Sequence, residues 1–106
     1  MKFSDRVYEI VKKIPKGKVT TYKDIAEFLG NKAYRAVGQA LKRNPRPMEI
    51  PCHRVVRSDG KIGGYFGKSD KNSVNKKIAL LRSENVEISN NKIVNFNKFR
   101  TAFRRG

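Results

Sequence analysis

The chain carries one cysteine and one histidine, and they are neighbours, in Ile50-Pro51-Cys52-His53-Arg54-Val55-Val56. A free thiol is only a few per cent thiolate at neutral pH and is a weak nucleophile until a base takes its proton. An adjacent imidazole can take it, directly or through one water. In a regular strand the two side chains would point to opposite faces. Pro51 cannot donate to a sheet ladder and tends to end or kink a strand, so a bent Pro-Cys-His segment would bring both groups to one site. The plainer alternative is a small buried cysteine beside a structural histidine. Residue types alone leave both open.

Composition bounds what such a pair can serve. A chain of 106 residues, 38% apolar, is long enough for one modest core and not for two. A signal peptide or a bilayer-spanning apolar run is not expected, and the chain reads as cytoplasmic, in a reducing compartment. One cysteine permits neither an internal disulfide nor a cysteine zinc cluster, so no such metal site is expected. Twenty-five Lys and Arg against nine Asp and Glu leave a net charge of +16. Such a domain is expected to meet a polyanion, most simply nucleic acid. A solvated lysine-rich surface is the competing explanation. No basic amphipathic membrane anchor is apparent.

The elements that must position the pair follow from the apolar periodicity. Phe3, Val7, Ile10, Val11 and Ile14 recur with helical spacing after Ser4, which is placed to cap, and Pro15 with Gly17 end the run. Thr21-Tyr22-Lys23-Asp24 has the form of a capping box before a second helix of about eight residues, which Gly30 stops. Asn31 can cap a third helix from about Lys32 to Asn44, closed by Pro45 and Pro47. The pair has the shape of a helix-turn-helix, although αα-hairpins in general share it.

On a helical wheel Ala33, Ala36, Val37, Ala40 and Leu41 form the core face of the third helix, opposite Arg35, Gly38, Gln39 and Lys42. A glycine inside a helix costs about 1 kcal/mol against alanine. There it allows close approach, either to a nucleic-acid groove or to another helix. Val55-Val56 reads as a strand, Ser58-Asp59-Gly60-Lys61 as a hairpin turn with Ile62 returning. Gly63-Gly64-Tyr65-Phe66-Gly67 can shape a pocket for a flat ligand. Lys68 to Asn72 reads as a loop, Ser73 to Ser83 as a fourth helix. Glu84, a scarce acid, stands against the dipole at its end. Val86-Glu87-Ile88 and Ile93-Val94 flank Asn90-Asn91 as a small hairpin or a hooked end. Residues 97–106 read as a basic tail, partly disordered.

Taken together, Gly17-Lys18-Val19-Thr20-Thr21-Tyr22, Arg35-Ala36-Val37-Gly38, Asn44-Pro45, Ile50-Pro51-Cys52-His53-Arg54-Val55-Val56 and Gly60-Lys61-Ile62-Gly63-Gly64-Tyr65 resemble the C-terminal, DNA-binding and active-site domain of the O6-alkylguanine-DNA alkyltransferases. The motifs run from residue 3 to about 96, in the family's order and near its spacing. The resemblance implies a mainly α domain with small β elements, a winged-helix-like helix-turn-helix over residues 1–96, followed by the tail. It implies a single-turnover DNA repair methyltransferase. That protein moves a methyl or alkyl group from O6 of guanine, or more weakly O4 of thymine, to its own cysteine, with no cofactor and as a monomer. Its partner would be double-stranded DNA containing O6-alkylguanine, bound in the minor groove with the target nucleotide flipped.

Residue by residue, Cys52 matches the acceptor, His53 the base that works through a water, Glu84 the carboxylate orienting it, and Asn44 the asparagine tying the active-site turn. Tyr22 and Lys77 match groups that assist proton delivery to the departing guanine. Val55, Tyr65 and Phe66 match positions lining its pocket. Arg35 matches the arginine that fills the vacated stack, and Ala33 and Gly38 the small residues of the recognition helix. Ser4, Tyr22, Lys23, Asn31 and Ser58 match backbone contacts. Three features depart from the pattern: these residues do not include the usual N-terminal domain, the Lys68 to Asn72 loop is longer, and Phe66 stands where a small residue is frequent. Two other readings compete. The alkyltransferase-like proteins bind the lesion without repairing it and commonly carry tryptophan for the acceptor, whereas this chain keeps Cys52 and has no Trp. A sequence-specific helix-turn-helix regulator would leave the Pro-Cys-His-Arg turn unexplained.

Overall fold

The computed structural model describes residues 1–30, 33–101 and 103. Helix α1 (Phe3–Lys12) buries Val7, Ile10 and Val11. Its N-cap is Lys2, not Ser4: the Arg6 amide already bonds the Lys2 carbonyl, so Ser4 lies inside the first turn. Thr21 caps α2 (Tyr22–Phe28) as its sequence predicts, its Oγ1 accepting from the Asp24 amide at 2.9 Å. Gly30 leaves α2 at φ +71°, the left-handed conformation that suits a helix stop. The expected Asn31 cap lies outside the described residues. Helix α3 (Tyr34–Lys42) is shorter than the Lys32 to Asn44 expected. Ala33 is its N-cap and is exposed, while Val37, Ala40 and Leu41 of the predicted core face are buried.

Helix α3 packs on both α1 and α2, and their apolar faces close a first core that takes in Ile14, Ile50, Cys52 and Val55. Strands β1 (Thr20–Thr21) and β2 (Val55–Val56) pair in parallel, Thr20 opposite Val55. Because successive strand residues face opposite ways, Val55 enters the first core and Val56 a second. That second core joins Val19, Ile62, Ile78, Leu81, Val86, Ile88, Ile93 and Phe99.

The Asp59-Gly60 turn forms, with Gly60 at φ +87° and the Arg57 amide on the Lys61 carbonyl. The expected pairing of Val55-Val56 with Ile62 does not. The two valines are engaged by β1, and the Ile62 amide donates to Asn91 instead. Helix α4 (Lys71–Ser83) starts two residues before Ser73 because Asp70 caps it, accepting from both the amide and the hydroxyl of Ser73. The loop expected through Asn72 is shorter by that turn. Strands β3 (Ile88–Ser89) and β4 (Lys92–Ile93) form the predicted hairpin, with Asn90 and Asn91 both at positive φ.

The described part of residues 97–106 packs on the body. Helix α5 (Phe96–Phe99) buries Phe99, and Val19 bonds both Phe99 and Thr101 through its own amide and carbonyl. Arg100 grips Asp24 with two bonds of 2.7 and 2.9 Å, and Phe103 lies against Phe28.

Candidate active site

The Cys52 thiol is set by a short backbone device. Pro51 has φ −77° and ψ +70°, and the Cys52 amide donates to the Ile50 carbonyl at 2.7 Å. That is an inverse γ-turn, for which proline's fixed φ is suited. Residues Cys52–Arg54 then make one 3₁₀ turn before β2, which is the bend predicted from Pro51. Asn44 ties the approach: its Nδ2 donates to the same Ile50 carbonyl at 2.7 Å, and its Oδ1 accepts from the Arg46 amide.

Behind the thiol lies a buried polar row. His53 Nε2 donates to Glu84 Oε2 at 3.0 Å, both side chains being nearly inaccessible. Glu84 stands at the C-cap of α4. Burial alone would raise its carboxyl. The hydrogen bonds and charges of Arg54 and His53 outweigh that and bring it down to about 2. An ionised Glu84 can only accept, which keeps the proton on Nε2 and leaves Nδ1 of His53 with its lone pair. Burial holds the imidazole below its ordinary value despite Glu84, so it is a neutral base near pH 7. Burial likewise raises the Cys52 thiol, against an Asn44 hydrogen bond and the Lys77 charge. Both directions favour the neutral forms, thiol and imidazole, over a thiolate and an imidazolium.

Lys77 is fully buried, with Nζ donating to the carbonyls of Val55 at 2.8 Å and Gly64 at 3.0 Å. Burial pulls its amine down to about 7. It lies 5.9 Å from the centre of the Tyr22 ring, whose hydroxyl burial pushes up to about 12.

In front of Cys52 opens a pocket of about 320 Å³. Arg35, Gly38 and Gln39 of α3 line one side, Tyr22 a second, and Gly64, Tyr65 and Phe66 a third. A Cβ at Gly38 would meet no atom within 4 Å, so this glycine serves the open face and not helix packing. Phe66 and Gly67 form a two-residue turn with φ of +53° and +72°, closed by paired bonds between Tyr65 and Lys68. Phe66 meets Tyr65 edge-on, ring centres 4.7 Å apart.

The structure thus gathers Tyr22, Arg35, Gly38, Cys52, Tyr65 and Phe66 around one pocket, with Asn44, His53, Glu84 and Lys77 behind its floor. It does not bring Val55 to the pocket: that side chain is in the first core, and only its carbonyl serves the site, by holding Lys77. Ser4, Lys23, Ala33 and Ser58 lie outside the pocket walls, and Asn31 outside the described residues. Arg54, assigned no part from sequence, binds both oxygens of Glu84. Its signal was its place next to His53. Gln39 and Lys42 also line the pocket, as their place on the polar face of the wheel allowed.

Helices α2 and α3, in helix-turn-helix order on a strongly basic chain, thus stand beside a cavity lined by the Cys52 thiol. Residues 2–86 match the family described as 6-O-methylguanine DNA methyltransferase, DNA binding domain, and the chain belongs to that family. It is 53% identical over 85 residues to a methylated-DNA–protein-cysteine methyltransferase of Archaeoglobus fulgidus, covering 79% of this chain and 56% of that protein. The chain spans about a third to a little over half the length of curated relatives that it matches. Among solved structures it is similar to S. pombe Atl1 in complex with damaged DNA containing O6-carboxymethylguanine, with a TM-score of 0.78 at 30% identity over 97% of this chain and 95% of that one. It is also similar to the O6-methylguanine-DNA methyltransferase of Pyrococcus kodakaraensis, with a TM-score of 0.68 at 44% identity over 81% and 47%. The mainly helical fold with small sheets is that of the alkyltransferase DNA-binding domain.

Proposed function

We propose that this chain repairs DNA by transferring an alkyl group from O6 of guanine, and more weakly from O4 of thymine, to Sγ of Cys52. The observation that carries the proposal is the thiol at the floor of the pocket, backed by the His53–Glu84 row. The new bond is Sγ–carbon and the bond broken is O6–carbon. His53 takes the thiol proton through a water, and a proton returns to the departing guanine, with Tyr22 and Lys77 assisting its delivery. The thioether is permanent, so each molecule acts once, as a single chain and without a cofactor.

The pocket opens beside α3, so a base must leave the duplex to reach Cys52, at a cost of a few kcal/mol that is least for a damaged pair. Helix α3 enters the minor groove with Gly38 and Ala33 allowing close approach, and Arg35 occupies the vacated stack. Ser4, Lys23 and Ser58 meet the backbone. The net charge of +16 supports salt-sensitive, largely sequence-independent binding.

A second reading, lesion recognition without transfer, is favoured by the end-to-end match to S. pombe Atl1. One experiment separates the two: intact-protein mass after mixing with a duplex carrying one O6-methylguanine, with Cys52→Ala alongside. A gain of about 14 Da, methyl for hydrogen at the thiol, absent in the variant, is the expected result. Tight binding with no gain would replace transfer by sensing.

A further inference from the structure

We propose that Arg54 is a positioning residue for alkyl transfer: by engaging both oxygens of Glu84, it fixes the carboxylate and limits how firmly that carboxylate can hold a proton on His53. The inference rests on the transfer reading above and assigns it a further residue. Arg54 Nε donates to Oε1 at 2.9 Å and Nη2 to Oε2 at 2.8 Å, the two-pronged geometry in which guanidinium matches carboxylate. The oxygen that serves His53 at 3.0 Å is therefore already shared with a cation. The third nitrogen, Nη1, donates to the Ile14 carbonyl at 2.8 Å, just beyond α1. The guanidinium is thus tied to an element independent of α4, and Glu84 cannot drift without leaving it.

The charge arrangement shows why this matters. A buried carboxylate alone with a buried imidazole would favour the closed pair of imidazolium and carboxylate. An imidazolium cannot accept the thiol proton. The charged groups around the ring are Glu84 and Lys77 from α4 and Arg54 from its own turn, one anion against two cations. Both cations oppose protonation of the ring. Glu84 also sits at a helix C-terminus, where an anion is disfavoured, and Arg54 compensates there too.

His53 is the only histidine, so its imidazole gives an unambiguous NMR titration in the intact chain. In Arg54→Gln, a neutral side chain that can still hydrogen-bond, the His53 midpoint is expected to rise by about one pH unit. The acid limb of the single-turnover transfer rate should rise with it. Transfer should be about tenfold slower below both midpoints and converge with wild type at higher pH. Loss of structure alone would depress the rate at every pH and would not converge. If Arg54→Gln does not fold, Arg54→Lys decides: it keeps the cation but cannot span both oxygens, and about half the shift is expected. A midpoint that is unchanged or lower in the folded variant overturns the proposal. If wild type transfers nothing, the transfer reading fails, and the titration still reports whether Arg54 governs His53.

Discussion

Lys77 offers a direct test of how the buried polar row is held together. Its amine is brought from 10.5 to about 7 by burial, while the unfolded chain keeps the ordinary value. Below pH 7 both states carry the proton, and the folded state bears the full penalty of a buried charge. Between about 7 and 10.5 only the unfolded state binds it, so stability rises with pH through that window. Each unit is worth about 1.4 kcal/mol. From pH 7.0 to 9.5 the gain, after allowing for half-protonation at the lower end, is about 3 kcal/mol. Lys77→Met removes the titration and keeps the apolar stem. The comparison belongs in a Cys52→Ala background, so that the thiol does not titrate as well.

Urea unfolding of both proteins at the two pH values reads the effect. With a slope of about 1–3 kcal/mol per molar, the midpoint of the Lys77 protein should climb by about 1–3 M relative to Lys77→Met. If the two midpoints move in parallel, the amine is not neutral in the fold. The assigned hydrogen bonds to Val55 and Gly64 would then belong to an ammonium that the site solvates by some other means.

Four further perturbations probe the rest of the site and the C-terminal segment. Asn44→Ala leaves the Ile50 carbonyl with the Cys52 amide alone and strips the Arg46 amide of its acceptor; thermal unfolding should show a loss of about 1–3 kcal/mol, and transfer should slow even where the protein is fully folded. Phe66→Gly relieves a left-handed aromatic residue costing about 1–2 kcal/mol and opens the pocket beside Tyr65; the rate ratio of benzyl to methyl transfer should rise, and an unchanged ratio would remove Phe66 as a size filter. Arg100→Ala breaks a partly exposed two-bond pair with Asp24, so unfolding should register no more than about 1 kcal/mol, whereas removal of residues 96–106 takes Phe99 out of the second core and should cost several times that.

Much of the site was legible because its residues are close in sequence. The Cys52-His53 adjacency, the bend at Pro51, the Thr21 cap and the polar face of α3 are local features, and backbone sterics or helical period decide them. The ends of elements were less legible. Ser4 and Asp70 are both good caps by type, yet only Asp70 caps, because the turn that begins earlier competes for the same amides. The tail from Asn97 read as basic and partly disordered, but its described part is bound through Phe99 and the edge of Val19.

By itself the sequence determined the Cys52-His53 adjacency, the order and basic charge of the helices and the glycine-rich segment beside them, since each is written in neighbouring residue types. Tertiary structure alone decided which distant groups meet. It set Glu84 against both His53 and Arg54, turned Val55 inward while lending its carbonyl to Lys77, and paired β2 with β1 in place of the segment next to it. The reason is physical: hydrogen-bond range is about 3 Å, and no local pattern encodes which carboxylate, thirty residues away, a packed core will carry to that distance.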